Sequence, residues 1–272
     1  MPLKYLPEKP TAKHTRPFRL LAGASFVLTA VTWLIVNEQR RRANIKIYDS
    51  IQRMPKQPKR TAASVWAVIR KYVVDPWSHY RKELTQNAQR RTLEIGVDYW
   101  PNLRHYTNDI ELTGVEYNLQ TFYRARKRIR QFRPQTAVIY ATNSLLPFPD
   151  EYFDTVVTSL SLCSVEDSKA VLSEIRRVLK KDGRFLFLEH VRAENTFVAI
   201  LQDWLTPLWS RLSSNCHLNR NTIAEIETAG FIILTRKTLS GAWGPVRPTI
   251  MGIAAATQQE AQTPTLLLET DL

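Results

Sequence analysis

Two carboxylates stand where an apolar run ends: Glu94 in Leu93-Glu94-Ile95-Gly96 and Glu116 in Leu112-Thr113-Gly114-Val115-Glu116. An acid at the carboxyl end of a strand can accept both hydroxyl protons of a ribose, and a glycine just after the first strand lets backbone approach a ligand closely. Gly96 fits that use. The next two places where backbone would have to come close carry Asp98 and Trp100, so the stretch reads as a nucleotide-binding loop with glycines replaced. Without a ligand, Glu116 reads instead as a solvated acid or as a partner for the arginines that follow it. Asp154 reads as a turn and strand-entry residue.

These residues need a sheet to hold them. Apolar runs at 92–96, 112–116, 137–140, 155–159 and 185–189 predict five buried strands, and periodic stretches at 119–132 and 168–179 predict helices between them. Strands alternating with helices of that length call for right-handed crossovers, giving an α/β fold with a doubly wound, mostly parallel sheet. Runs at 231–237 and 249–255 add final strands, with a helix at 221–229 stopped by Gly230. Ligands of such sheets bind beyond the carboxyl ends of the strands, where Glu94 and Glu116 fall.

The 272 residues suit one domain of roughly 170 to 200 residues plus extensions. Lysine and arginine number 38 against 25 acids, a net charge of +13 that attracts anionic lipid, nucleic acid or acidic protein partners without choosing among them. Arg124, Arg126, Lys127, Arg128, Arg130 and Arg133 encircle one helix, and no aromatic-interleaved or glycine-rich recognition motif accompanies them, which argues against nucleic acid. Cys163 and Cys216 lack paired spacing and read as buried thiols; the five histidines lack ligand spacing, so no metal is expected.

Residues 20–37 form an uncharged apolar run of nearly bilayer-spanning length, with basic residues on both sides, and predict a single-pass anchor. No small-residue cleavage site follows, and Arg40-Arg41-Arg42 resembles a stop signal. An acid-poor, basic amino terminus points to the mitochondrial inner membrane, with the endoplasmic reticulum as alternative. The predicted order is a basic segment (1–19), the anchor (20–37), a basic linker with a helix at 64–74 (38–90), the α/β domain (91–256) and a tail (257–272).

Further segments carry a resemblance. Leu146-Pro147-Phe148-Pro149-Asp150 and Glu174-Ile175-Arg176-Arg177-Val178-Leu179 are similar to the middle and late motifs of class I S-adenosylmethionine-dependent methyltransferases. Leu162-Cys163-Ser164-Val165, Leu188-Glu189-His190-Val191, Pro207-Leu208-Trp209, Cys216-His217-Leu218-Asn219-Arg220 and Val246-Arg247-Pro248 resemble the membrane-anchored thiol methyltransferase-like branch. The resemblance implies S-adenosylmethionine as cofactor and three spaced glycines in the first loop, of which this chain keeps Gly96. It also implies an acid near Thr142 for the adenine amino group, and 141–144 offers none. His190 and Glu189 match a segment near the acceptor pocket, though a polar pair at a strand end also reads as scaffold.

Glu94, Gly96, Asp98, Glu116 and Thr142 therefore read as a degenerate cofactor site. A lost charge-assisted hydrogen bond costs on the order of 1.5–3 kcal/mol, so two or three such losses weaken binding roughly a hundredfold to ten-thousandfold. The leading expectation is a non-catalytic accessory or assembly subunit of a mitochondrial inner-membrane complex, with no cofactor. The alternative is an active methyltransferase acting on a small lipophilic thiol, a quinone precursor or a lipid.

Overall fold

The computed structural model describes residues 77–239 and 248–257. Seven strands form one sheet: β1 (Arg91–Ile95), β2 (Glu111–Glu116), β3 (Ala137–Tyr140), β4 (Phe153–Ser159), β5 (Leu179–His190), β6 (Ile232–Leu239) and β7 (Thr249–Ala255). Their order is β3-β2-β1-β4-β5-β7-β6. The first five run parallel, and β7 pairs antiparallel with β5 and β6. The helices are α1 (Ser78–Thr85), α2 (Leu119–Phe132), α3 (Ser168–Val178), α4 (Thr196–Leu212) and α5 (Thr222–Thr228).

Strand alternation divides the core in two. Leu93, Ile95, Val156, Phe185 and Phe187 face α3 and α5 with Leu172, Ile175 and Ile226. Val157, Leu186, Leu188, Met251 and Ile253 face the other way, with Trp77 and Leu84 beside α1 and Ala125 and Ile129 from α2. A sheet covered on both faces explains why its strands read as nearly unbroken apolar runs.

The strand expectations agree with the structure to within a few residues, except that β5 begins earlier, at Leu179. Two elements differ. The expected linker boundary at residue 90 cuts through the fold: α1 buries Arg81, Leu84 and Thr85 ahead of β1, so residues 77–90 belong to the domain. Residues 196–212, not anticipated as an element, form a 17-residue helix with Pro207 inside it and Asn195 capping Phe197 and Val198.

Arg133, expected on a charged surface, is buried and donates to the carbonyls of Tyr106, Thr107 and Ile110. It thereby fastens the segment entering β2 to the end of α2. Arg177 similarly donates to Phe148 O and Leu146 O and pairs with Glu174 and Asp150. The middle and late motifs thus meet as one clamp on the loop after β3.

The expected anchor at 20–37, the basic segments around it, the helix at 64–74, Val246-Arg247 and the tail beyond residue 257 lie outside the described residues. Among those described, no helix is long and apolar enough to cross a membrane.

Candidate functional site at the carboxyl edge of the sheet

The loop after β1 keeps a glycine-type backbone with only the first of its three positions a glycine. Gly96, Asp98 and Trp100 have φ of 69°, 50° and 57°, all in the left-handed region. Gly96 is required twice over: by that φ, and because a Cβ there would lie 2.1 Å from Ser161 Oγ at the end of β4. A short 3₁₀ turn, Pro101–Arg104, follows in place of a helix.

Trp100 does not crowd the site, contrary to what its bulk suggested. Its side chain is fully buried beneath the loop, its Nε1 donates to Glu94 Oε2 at 2.7 Å, and its ring fills the space over Gly114. A Cβ on Gly114 would come within 2.5 Å of that ring, so β2 has a slot cut for it.

Glu94 falls near the end of β1, as expected, but its side chain is turned into the protein. Its carboxylate is enclosed by protein donors: Trp100 Nε1, Asn102 Nδ2 at 2.8 Å and Tyr106 Oη at 2.8 Å. Arg81 extends the network to Asn102 and Ser159. Burial pushes the Glu94 pKa up to about 7, against the lowering effect of these bonds and of the Arg81 charge. Glu94 is a positioning residue that holds 97–106 in shape.

Glu116 does stand at the edge. Its Oε2 accepts the Asp98 N–H and its Oε1 the Asn118 N–H, each at 2.7 Å. The Thr121 side chain bonds to the same carboxylate, and its roughly four acceptor sites are still not all used. Burial raises its pKa, the two amides oppose this, and the charge of Asp98 adds to the rise. Thr142 is exposed on the loop after β3. Beside it Asn143 is buried, and neither side-chain amide atom has a protein partner. Sequence reading passed over Asn143 because it sought an acid. A buried amide offering one acceptor and two donors suits a purine edge, whereas an unmet one costs stability.

The other half of the edge lies past β4 and β5. Glu189 is fully buried and accepts from the backbone N–H groups of Ser161, Leu162 and Cys163 at 3.0–3.2 Å, a scaffold role. The loop after α4 is stitched to the same segment: His217 N–H donates to Cys163 O at 2.7 Å, Asn215 to Ser164 O, and Arg220 to Leu162 O and Val165 O. Cys163 and Cys216, read as unrelated thiols, thereby meet with Sγ atoms 3.7 Å apart, and His190 Nδ1 lies against both. Contact between the two thiols lowers the pKa of Cys216 and raises that of Cys163, which burial raises further. Beside them runs α4, whose Phe197, Ile200, Leu201, Trp204, Leu208 and Leu212 form an exposed apolar stripe. Phe197 and Trp204 are more than four-fifths exposed, at 84% and 82%.

A parallel sheet reversed at its last strands, with an acid closing β2 and a tight loop after β1, defines a methyltransferase-type fold. The methyltransferase domain family matches residues 93–187. Thiol S-methyltransferase TMT1B of Rattus norvegicus is 35% identical over 182 residues, covering 64% of this chain and 74% of that protein. Human thiol S-methyltransferase TMT1A is 32% identical over 188 residues, covering 64% and 77%. Among solved structures, geranyl diphosphate C-methyltransferase of Streptomyces coelicolor, in complex with S-adenosyl-L-homocysteine, shares the fold with a TM-score of 0.53 at 12% identity, covering 66% of this chain and 79% of that one. The chain belongs to the class I S-adenosylmethionine-dependent methyltransferase family, in its thiol methyltransferase-like branch.

Proposed function

We propose that this protein is an S-adenosylmethionine-dependent methyltransferase acting on a lipophilic thiol. The observation that carries the reading is the loop after β1. Its left-handed backbone at Gly96, Asp98 and Trp100 is kept, Trp100 is withdrawn into the core, and Glu116 remains at the strand end. The expectation of an empty, non-catalytic site rested on the replacements at Asp98 and Trp100 and on the missing acid near Thr142; of these, the bulk of Trp100 lies in the core and not in the site. The thiol relatives support the acceptor class.

S-adenosylmethionine, when bound, supplies an electrophilic methyl group on a sulfonium sulfur. Glu116 would hold its ribose hydroxyls and Asn143 would offer its buried amide to the purine. A thiolate acceptor needs little acid or base, so the chain's work is orientation and exclusion of water. The rigid 161–165 and 213–220 segments give the acceptor a fixed wall, and the apolar stripe of α4 suits a lipophilic molecule or the membrane that contains it. The apolar run at 20–37 supports attachment to a membrane, with the mitochondrial inner membrane as the proposed location.

A second reading, an accessory subunit of a membrane complex, draws on the Asp98 charge and the missing acid at Thr142. Calorimetric titration of the full chain with S-adenosylmethionine separates the two. We expect micromolar binding, abolished in Glu116→Ala and strengthened roughly tenfold, about 1.4 kcal/mol, in Asp98→Gly. Absence of heat in the wild type and in Asp98→Gly alike, with co-migration in a large complex from mild-detergent extracts, would establish the second reading.

A further inference from the structure

We propose that Cys163, His190 and Cys216 form a binding site for a thiophilic d¹⁰ cation of the zinc class, on the acceptor side of the sheet edge. The three ligand atoms lie close together: Sγ to Sγ 3.7 Å, Cys216 Sγ to His190 Nδ1 3.4 Å, and Cys163 Sγ to His190 Nδ1 3.8 Å. With zinc–sulfur bonds of about 2.3 Å and zinc–nitrogen bonds of about 2.0–2.1 Å, a tetrahedral ion sets its ligands about 3.8 Å apart (S to S) and about 3.5 Å apart (S to N). The triangle already has those edges. A disulfide would require only the sulfurs; the imidazole nitrogen facing both of them is the atom that a cation explains.

The triangle is also built independently of any ion. Cys163 follows β4, His190 ends β5 and Cys216 follows α4, three segments distant in the chain. Glu189, next to His190, fixes the Cys163 backbone through its N–H, and His217, next to Cys216, fixes it through its carbonyl. Both cysteines are buried, and Trp209 packs beside them. A cation would therefore enter a preformed set rather than gather loose side chains. Loss of two thiol protons to solvent accompanies binding and leaves the site neutral with a 2+ ion. Three protein ligands leave the fourth tetrahedral position to a water or another small donor.

Cobalt(II) titration of the full chain under a non-thiol reductant tests this directly. The chain has two cysteines in all, so any thiolate-to-cobalt charge-transfer band must come from this pair. We expect one cobalt per chain, near-ultraviolet charge-transfer bands with the visible bands of tetrahedral coordination, and displacement by an equivalent of zinc. Cys216→Ser should diminish the charge-transfer band. His190→Gln, which keeps both thiolates, should retain it while weakening affinity by more than about tenfold. A folded, fully reduced wild type without the band would overturn the site. Undiminished affinity in His190→Gln would overturn it as drawn, even if Cys216→Ser does not fold.

Discussion

Two buried carboxylates organise the two halves of the site, and they do so with different donors. Glu94, on the donor side, gathers three side chains: Trp100, Asn102 and Tyr106. Glu189, on the acceptor side, gathers three consecutive backbone amides at 161–163. Burial raises the pKa of both. Amides are present whatever the side chain, so the acceptor loop is free to spend its side chains, Cys163 among them, on other duties. The donor loop is the reverse: its shape depends on particular side chains, and Trp100 serves there as a structural part. A departure from the family's glycines at that place therefore reports a change of support before it reports a loss of binding.

The severest way to break the comparison is to restore a glycine. Trp100→Gly should destabilise the domain by about 3–5 kcal/mol, since it empties the slot over Gly114 and strips Glu94 of a donor. Urea unfolding measures it; a change below about 1 kcal/mol would show that the ring does not support the loop. Next is the pH response of Glu94. The folded carboxyl titrates near 7 and the unfolded one near 4.5, so between these values the folded state holds the proton that the unfolded state has released. Stability from this group is full below about pH 4.5 and falls as pH rises to about 7, by on the order of 3 kcal/mol. Urea midpoints across that range should show the decline in the wild type and a shallower one in Glu94→Gln.

Glu189→Gln removes the charge from three amide bonds and should cost about 1.5–3 kcal/mol. A larger loss than Trp100→Gly would reverse the ranking of the two supports. The smallest effect is expected on the outer face of α4. Trp204→Ser touches no core and should change stability by less than about 0.5 kcal/mol. The same substitution should weaken sedimentation with anionic vesicles, and unchanged sedimentation would remove this face from any membrane role.

Strand positions were legible because a sheet buried on both faces leaves apolar runs that few other elements produce. Helix α4 was not: it carries Pro207 and turns its largest apolar residues outward, so neither the absence of breakers nor an inward stripe marks it. Within the site, Glu116 and Gly96 could be placed because strand ends fix them. The function of Glu94 could not, since it depends on Trp100, Asn102 and Tyr106 folding back over it. Gly114, a glycine inside a strand, was the available sign that something large packs there. The meeting of Cys163, His190 and Cys216 follows from the parallel order of β4 and β5 and the return of the chain after α4, which spacing along the sequence does not encode.

A loop of three glycines would wander through both signs of φ when empty and surrender that freedom on binding. Here the left-handed turns at Asp98 and Trp100 are fixed by a ring anchored in the core, and their cost is met when the chain folds. The loop is thus cast in advance, with little entropy left to lose when a ligand arrives.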